Sequence, residues 1–176
     1  RADVVTEWNE LYKALTRLQG GAPCPISRAG PMFNLAMFDA VNGIDRVENF
    51  PTSFKPYLTG LPVPFAGASR EAAAAAAAHE VMASIYNLQS DELPQIGPMI
   101  HGLYAAQLDA IPDGPAKANG VAFGEAVGTA MKLWRFGDGY DGNPSYTLGG
   151  QPGDWCITPD GPFVQPFTPH WGNVTP

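Results

Sequence analysis

One apolar run, Ala29–Ile44, restricts this chain to a fold of several packed helices. Ten of its sixteen positions are Ala, Met, Phe, Leu, Val or Ile, and they are spread around the whole helical wheel. A helix that is hydrophobic all round is buried by other elements on every side. We therefore predict an all-α helical bundle of about five helices, with the segment Met32–Asn42 at its centre.

Three polar residues, Asn34, Asp39 and Asn42, interrupt this apolar run. A buried polar group costs about 1–3 kcal/mol unless it finds a hydrogen-bond partner. We interpret all three as buried polar structural residues, and we expect at least Asp39 to find its partner within this chain. Chemistry at Asp39 or His79 in a self-contained enzyme is the least favoured alternative.

Periodicity and capping signals predict the bounds of the five helices. The first is an amphipathic helix over residues 3–18 that ends at Gly20-Gly21, and the third is capped by Ser69 and contains the seven alanines Ala72–Ala78. The second follows a Pro-Cys-Pro turn, is capped by Ser27 and runs to Asp45. The fourth opens at Ser90 and Asp91 and reaches Ile111, with a kink or a delayed start at Pro94 and Pro98; the fifth is capped by Asp113, starts with Pro115 and runs to Phe136.

Small residues repeat every four positions along the fifth helix, at Ala116, Gly120, Gly124 and Gly128. Each internal glycine costs about 1 kcal/mol of helix stability relative to alanine, so the row needs a compensating interaction. The same spacing occurs where membrane helices dimerise, but this segment also carries charged side chains. We predict a close contact with another helix of the bundle.

The composition changes after residue 136. Residues 136–176 contain eight glycines, seven prolines, four Asp and no Lys or Arg, together with seven aromatic residues. So many large rings are not typical of a disordered linker. We therefore divide the chain into a helical half-domain, residues 1–136, and an irregular Pro/Gly-rich segment, residues 137–176, which packs on the bundle or on a partner chain.

Charge and motifs exclude several classes of function. The net charge is −7, and the ten Lys and Arg residues form no basic run, so nucleic acid is not an expected partner. No apolar stretch approaches the roughly 20 residues of a membrane span. His79-Glu80 lacks the second His of a zinc protease, residues 138–143 do not match a calcium-binding loop, and no nucleophile elbow or phosphate loop is present. His79 and His101 are interpreted as packing or surface residues.

The two cysteines leave the redox state open. Cys24 and Cys156 could form a disulfide in an oxidising compartment, or both could be reduced thiols. The sequence starts at Arg1 rather than at Met, which is compatible with removal of a signal peptide. A secreted or periplasmic location is the expectation.

Six segments in order resemble the N-terminal half of bacterial vanadium-dependent haloperoxidase-related proteins, which belong to the type 2 phosphatidic acid phosphatase superfamily. The segments are VVTEWNE, SRAGPMFNLAMFDAVNGI, EAAAAAAAHEVM, IPDGPAKANGVAFGEAV, the Asp-Gly pair after Arg135, and PHWGNVTP. The resemblance implies an all-α bundle and a pocket for vanadate or phosphate in the C-terminal half of the enzyme.

The pocket residues implied by this resemblance are missing from this chain. They are a Lys and an Arg in K-x6-R-P, a Ser, a Gly and a His in P-S-G-H, and an Arg and a His in S-R-x5-H. None of the three patterns occurs in the sequence. We therefore assign no catalytic, cofactor-binding or metal-binding residue to this chain. Vanadate, if present, would be bound by the missing half.

Two hypotheses follow. The favoured one is that the chain is the scaffold half of a cleaved, split or truncated haloperoxidase-like or acid phosphatase-like enzyme, and that its partner is the C-terminal half as a separate chain. The alternative is a non-catalytic helical binding or assembly subunit derived from the same scaffold. A homo-oligomer is left open under both.

Overall fold

The computed structural model describes residues 3–48, 54–86, 93–157, 159, 161–162 and 164–176. Within these residues the secondary structure is entirely helical, which confirms the predicted all-α bundle. The elements are α1 (Val4–Gln19), α2 (Pro23–Glu48), α3 (Arg70–Ile85), α4 (Ile96–Asp109), α5 (Pro115–Trp134) and a 3-10 helix (Trp171–Asn173).

The alanine-rich helix α3 lies at the centre of the bundle. It packs against α1, α2, α4 and α5, and all of its alanines from Ala72 to Ala78 are buried. Because alanine has the smallest side chain of the good helix formers, four helices can approach α3 closely. The predicted centre, Met32–Asn42 in α2, is only partly right, since Phe38 on its outer face is 38% exposed.

The row of small residues in α5 forms the closest helix contact. A Cβ atom added at Gly120 or Gly124 would lie under 3.0 Å from the backbone of Ser69 or Ala73 in the neighbouring α3 segment. The amide of Ser69 also donates to the carbonyl oxygen of Ala116 at 2.9 Å. The predicted close packing of this row is therefore confirmed, and α3 is its partner.

Two predicted helix ends are confirmed by their hydrogen bonds. Gly20 caps the C-terminus of α1 with φ at 66°, and its amide donates to the carbonyl oxygen of Thr16. Ser69 caps α3, because its hydroxyl accepts from the amide of Ala72 at 3.1 Å. Both contacts satisfy backbone groups that a helix end would otherwise leave unpaired.

Two predicted caps are wrong. The Pro-Cys-Pro segment forms the first turn of α2 instead of a separate turn, and the Ser27 hydroxyl donates to the carbonyl oxygen of Cys24 within the helix at 2.7 Å. Gly114, with φ at 151°, takes the cap position before α5. The carboxylate of Asp113 instead accepts from Lys117 at 2.8 Å.

The other helix bounds differ by a few residues from the prediction. Helix α2 extends to Glu48 rather than ending at Asp45, α4 ends at Asp109, and α5 ends at Trp134. Pro98 lies in the first turn of α4, so this helix has the delayed start that its prolines indicate. Ser90 and Asp91, the predicted opening of α4, lie outside the described residues.

The core joins α1 to the rest of the bundle through both apolar and polar contacts. Trp8 is fully buried, and its indole nitrogen donates to Gln107 of α4 at 2.9 Å. The amide nitrogen of Gln107 in turn donates to Glu7 at 2.8 Å. None of the described helices has the length and apolar character needed to cross a membrane.

Candidate functional site

Asp39 of α2 is a structural acid. It is 1% exposed, and its two carboxylate oxygens accept from the amides of Tyr57 at 2.8 Å and Leu58 at 2.7 Å. Charge-assisted hydrogen bonds of this kind are stronger than neutral ones. They hold Tyr57 and Leu58, which belong to the connection between α2 and α3, against α2. Both oxygens are therefore occupied, and the partner of Asp39 lies in this chain as expected.

Asn34 and Asn42 have partners in this chain as well. Asn34 and Asn9 of α1 exchange two side-chain hydrogen bonds, at 2.9 and 3.1 Å. The amide nitrogen of Asn42 donates to the carbonyl oxygen of Phe54 at 2.8 Å. Asn42 is buried, whereas Asn34 is only partly buried. The polar residues of α2 thus hold one neighbouring helix and one loop.

A cleft of about 370 Å³ lies between α2, the end of α5 and the last residues of the chain. We name it the α2–α5 cleft. Ring contacts support its wall, since Tyr57 and Trp134 meet edge to face with their centroids 5.4 Å apart. Its lining is mostly apolar, with two arginines, and consists of Ser27, Arg28, Pro31, Met32, Leu35, Tyr57, Met131, Trp134, Arg135, Trp171, Val174, Thr175 and Pro176.

Both arginines of the α2–α5 cleft pair with Asp138. The Nε of Arg28 donates to this carboxylate at 2.7 Å, and a terminal nitrogen of Arg135 lies 2.6 Å from the same oxygen. The amide of Tyr140 donates to the other oxygen at 3.1 Å. Burial alone would raise the pKa of Asp138, but the Arg28 hydrogen bond, the Tyr140 amide and the two guanidinium charges together lower it.

This cluster of Arg28, Asp138 and Arg135 is almost completely buried and carries one surplus positive charge. The guanidinium of Arg28 lies 3.9 Å above the centroid of the Tyr140 ring, and that of Arg135 lies 4.9 Å from the centroid of Trp134. Such cation–π contacts compensate part of the lost hydration. The Nε of Arg135 is buried and has no hydrogen-bond partner among the described residues.

The cluster attaches the irregular segment to the bundle. Arg28 belongs to α2, and Asp138 belongs to residues 137–176, so their ion pair joins positions 110 residues apart. The amide of Thr175 also donates to the carbonyl oxygen of Asp138 at 2.9 Å. The start and the end of the irregular segment therefore meet beside α2. Phe163, one of the predicted tail aromatics, lies outside the described residues.

Sequence reasoning missed Arg28 and Asp138 as a pair. The available signal was that Arg135 is the only arginine after residue 76 and that an Asp follows it three positions later. The predicted turn at residues 138–143 uses the Asp138 carboxylate for arginine binding. Within the described part of the chain, no group of three or more His, Cys, Asp or Glu side chains is arranged to hold a metal ion.

The two cysteines are unpaired in the structure. Cys24 is partly buried at the start of α2, and Cys156 is exposed in the irregular segment. The structure thus contains no disulfide between them, and the bridge stays a prediction that it does not support.

The described cations do not form a site for an oxyanion such as vanadate. Binding such an anion requires several cationic and hydrogen-bonding donors that converge on one point. Arg28 and Arg135 converge, but on Asp138. Further ion pairs occupy other cations with carboxylates of this chain: Lys13 with Glu10, Arg70 with Asp45 and Glu48, Lys117 with Asp113, and Lys132 with Glu80. Vanadate does not fit the residues present here.

A second polar cluster joins α3 and α4. The Nε2 of His79 and the Nδ1 of His101 are 2.9 Å apart, and the ring of Tyr104 stacks on His79 with a centroid distance of 4.2 Å. Burial, and then the charge of His101, lower the pKa of His79, while Glu80 opposes this shift. The packing predicted for these two histidines therefore includes a direct ring-to-ring hydrogen bond.

Comparison with known proteins identifies no relative. Neither the protein-family models nor the curated proteins nor the solved structures contain a match to this chain. The resemblance to vanadium haloperoxidase-related proteins therefore rests on the six sequence segments alone.

Proposed function

We propose that this chain is the N-terminal, non-catalytic scaffold half of a vanadium haloperoxidase-like enzyme. The complete enzyme would oxidise a halide with peroxide or hydrolyse phosphate esters, in a pocket supplied by a C-terminal half. The order of the six resembling segments is the starting point of this proposal. The missing pocket patterns and the paired cations are consistent with a pocket located elsewhere.

An exposed apolar surface beside the α2–α5 cleft is the observation that carries the proposal. Phe136 is 87% exposed, Leu133 is 70% exposed and Trp134 is 45% exposed. Trp134 also lines the cleft, so the apolar surface continues into it. We call the cleft together with these three residues the docking face. Large contiguous apolar patches on a protein surface usually mark an interaction site.

The C-terminal half is the occupant that best fits the docking face. Val174, Thr175 and Pro176 line the α2–α5 cleft, so the docking face is continuous with the irregular segment. Residues 136–176 carry Asp but no Lys or Arg, and the chain has a net charge of −7. By the resemblance, the pocket-bearing half contributes Lys, Arg and His, and an acidic chain favours association with such cationic groups, although the cleft itself also carries Arg28 and Arg135.

This half would then have a supporting role in the reaction. Asp39, Asn34 and Asn42 hold α1 and the connection before α3 in place, and the Arg28–Asp138–Arg135 cluster fixes the segment that borders the docking face. We assign to this chain the scaffold and one wall of the substrate entrance. Vanadate, peroxide and substrate are assigned to the other half.

Intact-mass spectrometry of the native sample tests the composition of the assembly. We expect a second polypeptide that contains the sequence P-S-G-H, or one longer chain that contains both halves. Halide oxidation by the native assembly with added vanadate and peroxide, and no oxidation by this chain alone, is the expected activity result. If this chain is found alone, the two-half proposal fails; a partner without the Lys, Arg and His set, and without activity, favours the binding-subunit alternative.

A matched pair of variants tests the docking face. Leu133→Asp places a charge on this face, whereas Val63→Asp does so at a residue that is 82% exposed outside it. We expect Leu133→Asp to reduce association with the C-terminal half at least tenfold, and Val63→Asp to leave it unchanged. Circular dichroism checks that both variants keep their helices. Equal association of the two variants would remove the docking face as the interface.

A further inference from the structure

Two histidine rings bridge α3 and α4. His79 lies near the end of the buried alanine run of α3, and His101 lies on α4, which packs against it. Their nearest ring nitrogens are the Nε2 of His79 and the Nδ1 of His101, 2.9 Å apart. His101 is exposed and His79 is partly buried, so solvent reaches the pair.

Tyr104 holds one of the two rings in place. It lies one turn after His101 on α4, and its ring is nearly parallel to that of His79, with 14° between the planes. A stacked ring loses freedom of rotation, so the Nε2 of His79 keeps its direction toward α4. The bridge is thus a prearranged pair of nitrogens from two separate helices.

We propose that His79 and His101 form a binding site for a divalent transition-metal ion, with the Nε2 of His79 and the Nδ1 of His101 as its ligands. Water or an added small ligand completes the coordination. The bound ion connects α3 to α4. This site is independent of the haloperoxidase-like scaffold role.

The distance between the two nitrogens suits shared coordination. Imidazole nitrogens bind such metals at about 2.0–2.1 Å, which places two ligands about 2.9 Å apart at a right angle and about 3.4 Å apart at a tetrahedral angle. The observed 2.9 Å matches the right angle. Square-planar and tetragonal geometries with nitrogen ligands favour Cu(II) and Ni(II), and Cu(II) also leads the general affinity order.

The protons of the pair also permit metal binding. In the metal-free pair one contact nitrogen donates and the other accepts, so the donor has to lose its proton before both can bind an ion. A neutral imidazole can move this proton to its other ring nitrogen, which changes the tautomer and leaves the charge unchanged. The two lone pairs then face each other across the 2.9 Å gap, and a tilt of the rings lets both reach one ion at a right angle.

Negative charges near the pair favour a cation. Burial raises the pKa of Tyr104, and the charges of Glu125 and Glu80 raise it further. Glu80 also directly follows His79 in α3. Lys132 pairs with Glu80 and offsets part of this effect. Glu80 therefore contributes a partly compensated negative charge beside His79.

Metal titration of the full chain without a histidine tag tests the site. Cu(II), Ni(II) and Zn(II) are added separately and followed by calorimetry, and the thermal midpoint is measured with each ion and again after EDTA. We expect one equivalent to bind, Cu(II) most tightly, and the midpoint to rise reversibly. His79→Ala and His101→Ala should each weaken Cu(II) binding at least tenfold.

The third histidine provides the control. His170 lies in the irregular segment, so His170→Ala should bind Cu(II) as the wild type does. In the electron paramagnetic resonance spectrum of the Cu(II) form, coupling to two imidazole nitrogens is expected, and either single variant should lose one of them. His101→Gln, in which the exposed position keeps a polar side chain, replaces His101→Ala if the latter does not fold. Unchanged binding in the His79 and His101 variants, an equal loss in His170→Ala, or no binding by the wild type would each overturn the proposal.

Discussion

Gly124 of α5 lies against the backbone of Ala73 of α3, with no room for a side chain between them. A Cβ atom at Gly124 would be under 3.0 Å from the carbonyl oxygen of Ala73. The obstructing atom belongs to the backbone of a buried helix, so it cannot turn aside as a flexible side chain would. This contact sets the separation of α3 and α5.

The substitution Gly124→Ala should therefore destabilise the protein. Alanine gains about 1 kcal/mol in helix propensity, but inserting a methyl group into a packed interface costs about 1–3 kcal/mol or more. We expect the clash to dominate and the urea midpoint to fall, corresponding to a net loss of about 1–2 kcal/mol. Circular dichroism during urea unfolding measures the change.

Gly102 of α4 is the matched control for this substitution. It also lies inside a helix, but apart from its chain neighbours and the nearby backbone of α4 no atom lies within 4 Å of a Cβ added there. Gly102→Ala should stabilise the protein by up to about 1 kcal/mol, through propensity alone. A rise in the urea midpoint for both variants would contradict the close approach of α3 and α5.

Asp39→Asn should be strongly destabilising. The carboxylate accepts two backbone amides, one on each oxygen, whereas an asparagine side chain can accept only with its single oxygen. One amide is left without a partner and both bonds lose their charge assistance, so we expect a loss of about 2–3 kcal/mol. Chemical denaturation measures this loss, with exposed Asp141→Asn as the control for the change of charge.

The same variant addresses catalysis by this chain. If Asp39→Asn folds and the native assembly keeps its activity, Asp39 has no direct part in the chemistry. A complete loss of activity in a well-folded variant would instead support a reaction at Asp39, against its structural role.

Sequence predicted the α3–α5 contact because its signals are local. Seven consecutive alanines and a glycine every fourth residue each define a helix face without reference to the rest of the chain. Asp39 could likewise be recognised as a residue that needs a partner, since its neighbours in α2 are apolar. Which amides it binds depends on the path of the connection before α3, and the sequence does not encode that path locally.

Helix caps were predicted less well because alternative partners compete for the same side chain. Asp113 precedes Pro115 by two residues and has the chemistry of a cap, but Lys117 binds its carboxylate. Ser27 bonds back to Cys24 because α2 starts four residues earlier, at Pro23. In both cases the side chain binds another nearby group instead of the backbone amide that the cap pattern predicts.

The Arg28–Asp138–Arg135 cluster depends on tertiary structure. Its members come from α2, from the residue after α5 and from the irregular segment, and no spacing in the sequence relates Arg28 to Asp138. The sequence indicated only that residues 137–176 would lie on a surface. The position of that surface follows from how α2 and α5 both pack against α3.

Asp138→Asn should release the irregular segment from the bundle. It removes the only carboxylate that both guanidiniums share in the described cluster, and breaking a buried ion pair costs about 3–5 kcal/mol. We expect lower stability and tryptophan emission at a longer wavelength, because Trp171, which lines the α2–α5 cleft, becomes more exposed to water. The surface variant Asp113→Asn should change the stability by no more than about 0.5 kcal/mol and should leave the emission wavelength unchanged.

Acid should have a related effect on the wild type. The pKa of Asp138 is lowered from its ordinary value of 3.8, so the unfolded chain takes up a proton at a higher pH than the native one. The stabilisation is fully present above that ordinary value and is lost as the pH falls through the native pKa. Below about pH 4 the stability of the wild type should therefore decline more steeply than that of Asp138→Asn; parallel declines would contradict this assignment.

The His79–His101 pair should add a second pH dependence at higher pH. The pKa of His79 is lowered from its ordinary value of 6.5, by burial first and then by the charge of His101. Its contribution to stability is thus fully present above 6.5 and decreases as the pH falls through the native pKa, because the unfolded chain binds the proton more readily. Glu80 opposes this shift, and Tyr104, which stacks on His79, is a further titratable group at the pair.

Urea unfolding between about pH 7.5 and about pH 5, which includes the ordinary histidine pKa, measures this effect. EDTA is included so that bound metal does not hold the rings together. We expect the wild type to lose stability across the interval and His79→Gln to lose less, because glutamine does not titrate. If the free energy of unfolding depends on pH equally in the two proteins, protonation of His79 does not oppose folding. The His79–His101 contact then does not contribute to stability between these pH values.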